Sequence, residues 1–273
     1  MSRSLSFLAG LCLVAASVSA GPAWGRAFII LQSTTSTQSS GLYEAILPQF
    51  SAVSGIEVRV VAVGTGQAIK NARNCDGDVL LVHARPSEEK FVSDGYGLTR
   101  SDVMYNDFVI VGPQDDPAGI AGSGTATAAL QKIAGKGAVF ASRGDDSGTH
   151  KMELSLWNEA GIDAAAASGS WYRETGSGMG ATLNVGVGMN GYVMTDRASW
   201  IAFGNKASHR ILVEGDPALF NQYGIIDINP ARCPNVKAEM ADKFINWLLS
   251  SQGQSAIAAY RKGDQQLFFP NAQ

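Results

Sequence analysis

Short apolar runs and amphipathic stretches alternate along most of the chain. Continuous or alternating apolar runs predict strands at residues 28–31, 56–63, 78–82, 103–111, 137–141, 191–194, 211–213 and 223–228. Apolar residues at helical spacing predict helices at residues 41–54, 65–70, 87–94, 118–133, 150–160, within 176–189 and at 236–249. The hydroxyl-rich residues 33–40 are interpreted as a loop. This repetition of strand, loop and helix predicts an α/β fold with a mostly parallel sheet.

The size and composition of the chain narrow the classes of protein to which it can belong. Its 273 residues suffice for one large or two medium domains, and 45% apolar with 16% charged residues is typical of a compact globular protein. The formal net charge of −3 argues against a nucleic-acid partner, which requires a basic surface. A small anionic ligand is compatible with this charge, because one local arginine can bind it.

The first 20 residues have the pattern of a secretory signal peptide. Arg3 supplies the positive charge, residues 7–14 are apolar and residues 15–20 are small. The apolar run is too short to cross a bilayer easily, so we predict export to the periplasm with cleavage after Ala20, in preference to Gly25. An uncleaved membrane anchor is the alternative.

Cleavage would leave two cysteines, Cys75 and Cys233. In an exported protein a single pair of cysteines usually forms one disulfide, and two separate buried thiols are the alternative. Neither cysteine has His or Cys neighbours at the spacing of a zinc site, so no metal site is expected.

Four loops rich in Gly, Ser and Thr adjoin predicted strands or helices, at residues 33–37, 64–67, 142–149 and 175–180. Their hydroxyl and backbone N–H groups donate hydrogen bonds, and their small residues let a ligand approach the backbone. Each loop alone is equally well explained as a turn with a helix cap. Together, beside the cleft expected between two α/β lobes, they favour a site for a tetrahedral anion.

The most informative loop reads SRGDDSGTH at residues 142–150, between a predicted strand and a predicted helix. A helix N-terminus offers unpaired N–H groups and partial positive charge to an anion. Arg143 is the candidate charged contact, because its planar guanidinium gives paired bonds to two oxygens. A salt bridge to Asp145 or Asp146 is an alternative that is compatible with this role, and which of these carboxylates faces the ligand stays open.

The same segment permits a second interpretation, a hydrolase with Ser147 as nucleophile and His150 or His83 as base. A nucleophile needs a base and an orienting acid that converge on it. We expect His150 to cap or flank the following helix, His83 to have a structural or supporting role at a strand end, and His209 to be solvated. The favoured prediction is therefore a binding protein, not an enzyme, without a cofactor.

Several longer strings are more specific than these loops. They include YNDF at 105–108 and SRGDDSGTH at 142–150, together with STTS at 33–36, DVLLVHA at 78–84, TDR at 195–197, LVEGD at 212–216, and residues 175–184 and 223–230. In these segments, which run through nearly the whole mature chain, the sequence resembles the periplasmic tungstate-binding proteins, the substrate-binding components of ABC-type tungstate importers.

The resemblance implies a type II periplasmic-binding-protein fold with two lobes, each a mostly parallel sheet flanked by helices, that close over an oxyanion. Lobe one would comprise residues 26–112 and 205–273, and lobe two residues 113–204. The ligand would be tungstate, with molybdate as a close competitor. A monomer would carry it to an ABC-transporter membrane permease.

By matching position, the implied ligand-binding residues lie in both lobes. They are Thr34, Thr35, Ser36, Thr65 and Gly66 from lobe one, and Arg143, Ser147, Gly148, Thr149, Ser177, Gly178, Met179 and Gly180 from lobe two. The Cys75 and Cys233 pair departs from the family pattern, and a disulfide within lobe one would not block closure. Three alternatives stay open: a phosphate- or sulfate-binding protein of the same fold, the hydrolase, and a sensor or adaptor.

Overall fold

A computed structural model describes residues 27–273 of the chain, so the predicted signal peptide and residues 21–26 lie outside the described residues. The helices within this range are α1 (Thr35–Ser40), α2 (Leu42–Ser54), α3 (Thr65–Arg73), α4 (Arg85–Ser93), α5 (Ala126–Lys136), α6 (Gly148–Glu159), α7 (Met179–Gly188), α8 (Arg197–Ala202), α9 (Ala238–Leu249) and α10 (Ser251–Ala259). The strands are β1 (Phe28–Thr34), β2 (Glu57–Val63), β3 (Val79–Val82), β4 (Gly97–Pro113), β5 (Phe140–Ser142), β6 (Tyr172–Glu174), β7 (Tyr192–Asp196), β8 (His209–Val213), β9 (Phe220–Ile228), β10 (Arg261–Lys262), β11 (Gln265–Gln266) and β12 (Phe269–Pro270).

Most of the described strands join one sheet in the order β2-β1-β3-β9-β4-β7-β5-β6, and β8 and β12 also pair with β4. Strand β1 runs parallel to β2 and β3, and β5 runs parallel to β6 and β7. Within this sheet, each antiparallel pair involves β4 or β9, and β10 and β11 form a separate antiparallel pair. The predicted α/β class is confirmed, and each parallel group of strands forms one side of the molecule.

The long strand β4 connects the two sides. Its residues Gly97–Asp107 pair with β9, whereas Phe108–Pro113 pair with β7 and β8. At the changeover, the carboxylate of Asp107 accepts hydrogen bonds from Arg197 Nε at 2.7 Å and Arg197 Nη2 at 2.5 Å. The two sides are therefore joined by a continuous strand and an ion pair at the point where that strand changes partners.

The apolar side chains divide between the two sides. The buried apolar side chains of one group come from residues 29–104 and 223–268, together with Ala198 of α8. The other group draws on residues 108–219. Leu212 and Leu219 pack with this second group although they follow residue 204 in sequence. The predicted lobe boundaries themselves stay a prediction.

Cys75 and Cys233 form a disulfide between residues 158 positions apart, so the first of the two sequence-based alternatives is confirmed. Both cysteines belong to a hydrophobic cluster that also contains Leu80 and Ile226, and Cys233 is fully buried. The bond thus ties the loop after α3 to the segment before α9.

The prediction of a helix from residue 118 is wrong at its start, because the helix begins at Ala126. The carboxylate of Asp116 accepts hydrogen bonds from the backbone N–H groups of Ile120 and Ala121, at 3.0 and 2.8 Å, which holds this segment as a turn. Thr125 then caps α5 by accepting from Ala128 N at 3.2 Å.

The prediction that residues 33–40 form a loop is also wrong, because Ser33 and Thr34 end β1 and the rest form α1. Several hydroxyls at this helix have partners within it or at its N-cap: Thr34 Oγ1 lies 2.8 Å from Thr37 Oγ1, and Ser40 Oγ donates to the backbone Thr37 O at 2.7 Å. Tertiary burial therefore overrides the low helix propensity of Ser and Thr. The short elements β6, α8, α10 and β10–β12 are not among those that the sequence predicts.

Candidate functional site

The predicted donor loops gather at the N-terminus of α6. Residues 64–66 follow β2, whose last residue Val63 pairs with Thr34 at the end of β1. Thr65 Oγ1 accepts a hydrogen bond from Gly148 N at 2.9 Å, and Gly66 N donates to Asp146 O at 3.3 Å. These bonds cross between the two groups of strands, so the two sides of the cleft expected from the sequence are in contact at this point.

Arg143 follows β5 and is only 3% exposed. Its Nη2 donates to Asp145 Oδ2 at 2.6 Å, and the other oxygen of Asp145 accepts from Ser147 N at 3.2 Å. Asp146 instead pairs with Lys151, and its carboxylate is 66% exposed. Of the two aspartates that the sequence left open, Asp145 orients the arginine and Asp146 lies at the surface.

Some donors of this region are buried without a partner among residues 27–273. They include Arg143 Nε, Thr149 Oγ1 and Thr35 Oγ1. An unsatisfied buried donor costs about 1–3 kcal/mol, so such groups call for an acceptor. A guanidinium N–H can only donate, so its partner must be an acceptor, and the oxygens of an oxyanion would serve as such acceptors.

Residues 175–180 are attached to the backbone beside Arg143. Thr175 N donates to Ser142 O at 2.9 Å, and Ser177 N donates to Arg143 O at 3.2 Å. Ser177 Oγ donates to Thr175 Oγ1 at 3.0 Å, so both donors of Ser177 are used within the protein. A cavity of about 380 Å³ lies beside this segment, lined among others by Thr35, Gly178, Met179, Gly180 and Ser199.

The remaining predicted residues lie in the same region with their hydrogen bonds already arranged. Thr34 and Ser36 are buried, with their hydroxyl oxygens 3.2 Å apart. Ser147 is the N-cap of α6, and its Oγ accepts from His150 N at 3.2 Å. The N–H group of Gly148 donates across the cleft to Thr65 and is therefore not free for a ligand.

His83 belongs to a hydrogen-bond network with Ser36, Asn221 and Asn106 that the sequence did not predict. His83 Nε2 lies 3.3 Å from Ser36 Oγ, and His83 Nδ1 lies 3.1 Å from Asn221 Oδ1. Burial, and secondarily the charge of Arg143, lower the pKa of His83 to about 4, so the ring is neutral at pH 7. Asn106 completes the network by accepting from Asn221 Nδ2 at 2.7 Å. The YNDF string contains Asn106, but nothing in the sequence pairs it with Asn221.

The expectation that His209 is solvated is wrong. It is 6% exposed at the start of β8, and its Nε2 lies 3.1 Å from Gly191 O. Burial lowers its pKa. Strand pairing between β8 and the end of β4, which draws this residue inward, is not visible in the local sequence.

Metal-binding clusters and membrane-spanning helices are both absent from residues 27–273. In this range, no three His, Cys, Asp or Glu side chains are grouped so that they could hold a metal ion. No helix of the same range is long and apolar enough to cross a membrane.

Comparisons with known proteins agree with this geometry. Residues 19–252 match the PBP superfamily domain. The tungstate-binding protein TupA of Peptoclostridium acidaminophilum is 46% identical over 248 residues, which are 89% of this chain and 86% of that protein.

Two solved structures are similar over most of their length. The tungstate binding protein TupA from Desulfovibrio alaskensis G20 has a TM-score of 0.77 and 49% identity, covering 90% of this chain and 100% of that one. The tungstate ABC transporter structure from Geobacter sulfurreducens has a TM-score of 0.77 and 48% identity, covering 85% and 98%. The resemblance inferred from the sequence is confirmed: the chain belongs to the PBP superfamily and, within it, to the family of tungstate-binding proteins named TupA.

Proposed function

We propose that this protein captures tungstate, with molybdate as a close competitor, in the closed cleft around Arg143 and delivers it to an ABC-transporter permease. The observation that carries the proposal is the buried guanidinium of Arg143, which is fixed by Asp145 yet has no partner for Nε among the described residues. The names of the relatives and similar structures support the same ligand.

The ligand contacts in this proposal come from both sides of the cleft. Arg143 and Thr149 would donate from one side and Thr35 from the other, because each has a buried donor without a partner in residues 27–273. Thr34, Ser36 and Thr65 would contribute hydroxyls, and the start of α7 at Met179 and Gly180 would contribute N–H groups, since the first turn of a helix leaves them unpaired. Ser147, Gly148, Ser177, Gly178 and Gly66 would shape the site through their backbones.

A fully deprotonated ligand suits this site better than hydrogen phosphate. The proton of hydrogen phosphate requires an acceptor, and a carboxylate would be the natural one. Both oxygens of Asp145 already accept bonds from Arg143 and Ser147. Asp146 is largely exposed and pairs with Lys151. Because both carboxylates of the 142–150 loop are already engaged, we place phosphate below the fully deprotonated anions tungstate, molybdate and sulfate. Among the described residues, the buried Asp196 Oδ2 has no partner and would be the acceptor left for such a proton.

Transport, not catalysis, is the proposed role. Ser147 Oγ accepts from the backbone N–H of His150, and the imidazole of His150 instead accepts from Asp146 N through Nδ1 at 3.2 Å. This arrangement makes Ser147 a helix cap and favours a binding protein over the hydrolase. Export to the periplasm, action as a monomer and docking to a permease belong to the same proposal.

Calorimetric titration of the mature protein with tungstate, molybdate, sulfate and phosphate at pH 7.5 tests the proposal. We expect saturable one-to-one binding of tungstate and molybdate, weaker binding of sulfate and the weakest binding of phosphate. Tightest binding of phosphate, or no binding of any of the four, would contradict the proposed function.

A further inference from the structure

The ring of His83 lies at the contact between the two sides of the cleft. It is 5% exposed and stands between Ser36 on α1 and Asn221 on β9. Across the cleft it faces Gly148: a Cβ added to this glycine would lie 2.9 Å from both Cε1 and Nδ1 of the ring. His83 is therefore in a position to respond to what the closed cleft holds.

The amide network fixes which nitrogen of the neutral ring carries hydrogen. Asn221 Nδ2 donates to Asn106 Oδ1 at 2.7 Å, which turns Asn221 Oδ1 toward His83 Nδ1. A carbonyl oxygen can only accept, so Nδ1 carries the hydrogen and Nε2 carries the lone pair. The hydroxyl of Ser36 must then donate to Nε2. In this state Ser36 presents lone pairs, not a hydrogen, to an anion.

Two cations near the ring are each already paired with a carboxylate, so neither adds a net positive charge for a bound dianion. Arg143 is paired with Asp145, and Lys151 is paired with Asp146. Tyr223 also lies near the ring, with its ring centroid 4.8 Å away. The buried Asp196 interacts electrostatically with Arg143 and with Tyr223. Arg85 lines the groove next to His83.

We propose, on the basis of the proposed function, that His83 is a positioning residue that takes up one proton when the oxyanion binds. The proton comes from solvent and bonds to Nε2, through the groove of about 360 Å³ that His83, Lys151 and Phe220 help to line. The imidazolium then donates to Ser36 Oγ through Nε2 and to Asn221 Oδ1 through Nδ1. This frees the Ser36 hydroxyl hydrogen for a ligand oxygen and adds one positive charge beside the dianion.

The pKa of His83 in the absence of the anion agrees with proton uptake on binding. Burial and the charge of Arg143 lower the pKa of His83 to about 4 in the structure without a ligand. A dianion next to Arg143 opposes that repulsion and raises the pKa of the ring. Proton uptake then makes binding tighter as pH falls, by up to about tenfold per pH unit between the free and bound pKa values.

Calorimetry of tungstate binding between pH 6.5 and 8.5, in buffers of different ionisation enthalpy, measures the protons taken up. We expect uptake that grows toward one proton per tungstate at the acidic end. In His83→Gln, an amide in the place of Nε2 can donate to Ser36 without titrating, so binding persists and its pH dependence disappears. His209→Gln is the matched control at a second buried histidine, and it keeps the uptake of the parent protein.

Nitrogen NMR of the histidine rings gives a second measurement on the unsubstituted protein, in case the glutamine variant does not fold. We expect a neutral His83 with hydrogen on Nδ1 in the free protein and a doubly protonated ring in the complex. Tungstate binding without proton uptake, and with a ring that stays neutral in the complex, would overturn this inference and leave the proposed function intact. Absence of tungstate binding would overturn the proposed function as well.

Discussion

Replacing Arg143 by alanine removes a buried guanidinium that bonds Asp145 through Nη2 and has Nε available for a ligand. A charge-assisted hydrogen bond to an anion contributes roughly 1.5–3 kcal/mol, which corresponds to about 10- to 160-fold in affinity. The substitution also leaves the carboxylate of Asp145, 16% exposed, without its cation beside the bound dianion. We therefore expect tungstate affinity to fall by well over tenfold.

Calorimetric titration with tungstate measures this loss, and thermal unfolding verifies that the variant is folded. Arg143→Lys keeps the charge but not the planar fork, so its loss should be smaller than that of alanine. Arg210→Ala, at an exposed arginine on β8, is a control that should bind like the parent protein. Unchanged affinity in a folded Arg143→Ala protein would refute the role assigned to Arg143.

Three further predictions follow from the packing and the buried charges. In Gly148→Ala, the added Cβ would lie 2.9 Å from the His83 ring and should hold the cleft open. We expect weaker tungstate binding and a larger radius of gyration in X-ray scattering. Gly135→Ala is the control, because no heavy atom lies within 4 Å of its added Cβ, and it should change neither quantity. Removing the Cys75–Cys233 disulfide should lower the free energy of unfolding by about 2–5 kcal/mol and leave affinity unchanged, because its hydrophobic cluster contains none of the candidate ligand residues. Burial raises the pKa of Glu153 to about 7. The contribution of this buried carboxyl to the free energy of unfolding is therefore full below about pH 4.5 and is lost as pH rises through 7. Glu153→Gln should raise the melting temperature more at pH 8 than at pH 5.

The parts of the site that sequence could predict are those that depend on local chemistry. Arg143 stands out because a cation between a strand and a helix start points to an anion. Segments 33–37 and 64–67 lie at the ends of two parallel strands. The carboxyl ends of parallel strands meet at one edge of a sheet, so the convergence of these segments could be expected. The alternation of strands and helices was sufficient to predict the fold class.

The parts that sequence could not predict depend on contacts between distant segments. The N–H of Gly148 is a free donor in the local sequence, but Thr65, 83 positions earlier, accepts from it. His83 acquires its role from Asn221, 138 positions later, and His209 is buried by strand pairing. The Ser and Thr residues of α1 form a helix because several of them are buried together, although their low helix propensities favour a loop.

The central claim is that an oxyanion is held inside the cleft by Arg143 and the buried donors around it. A crystal structure with tungstate, with the tungsten located by anomalous scattering, tests this most directly. The account predicts one tungsten peak in the closed cleft, with ligand oxygens about 2.7–3.2 Å from Arg143 Nε and Thr149 Oγ1. A peak elsewhere on the protein, or a cleft in which tungstate contacts neither atom, would contradict it.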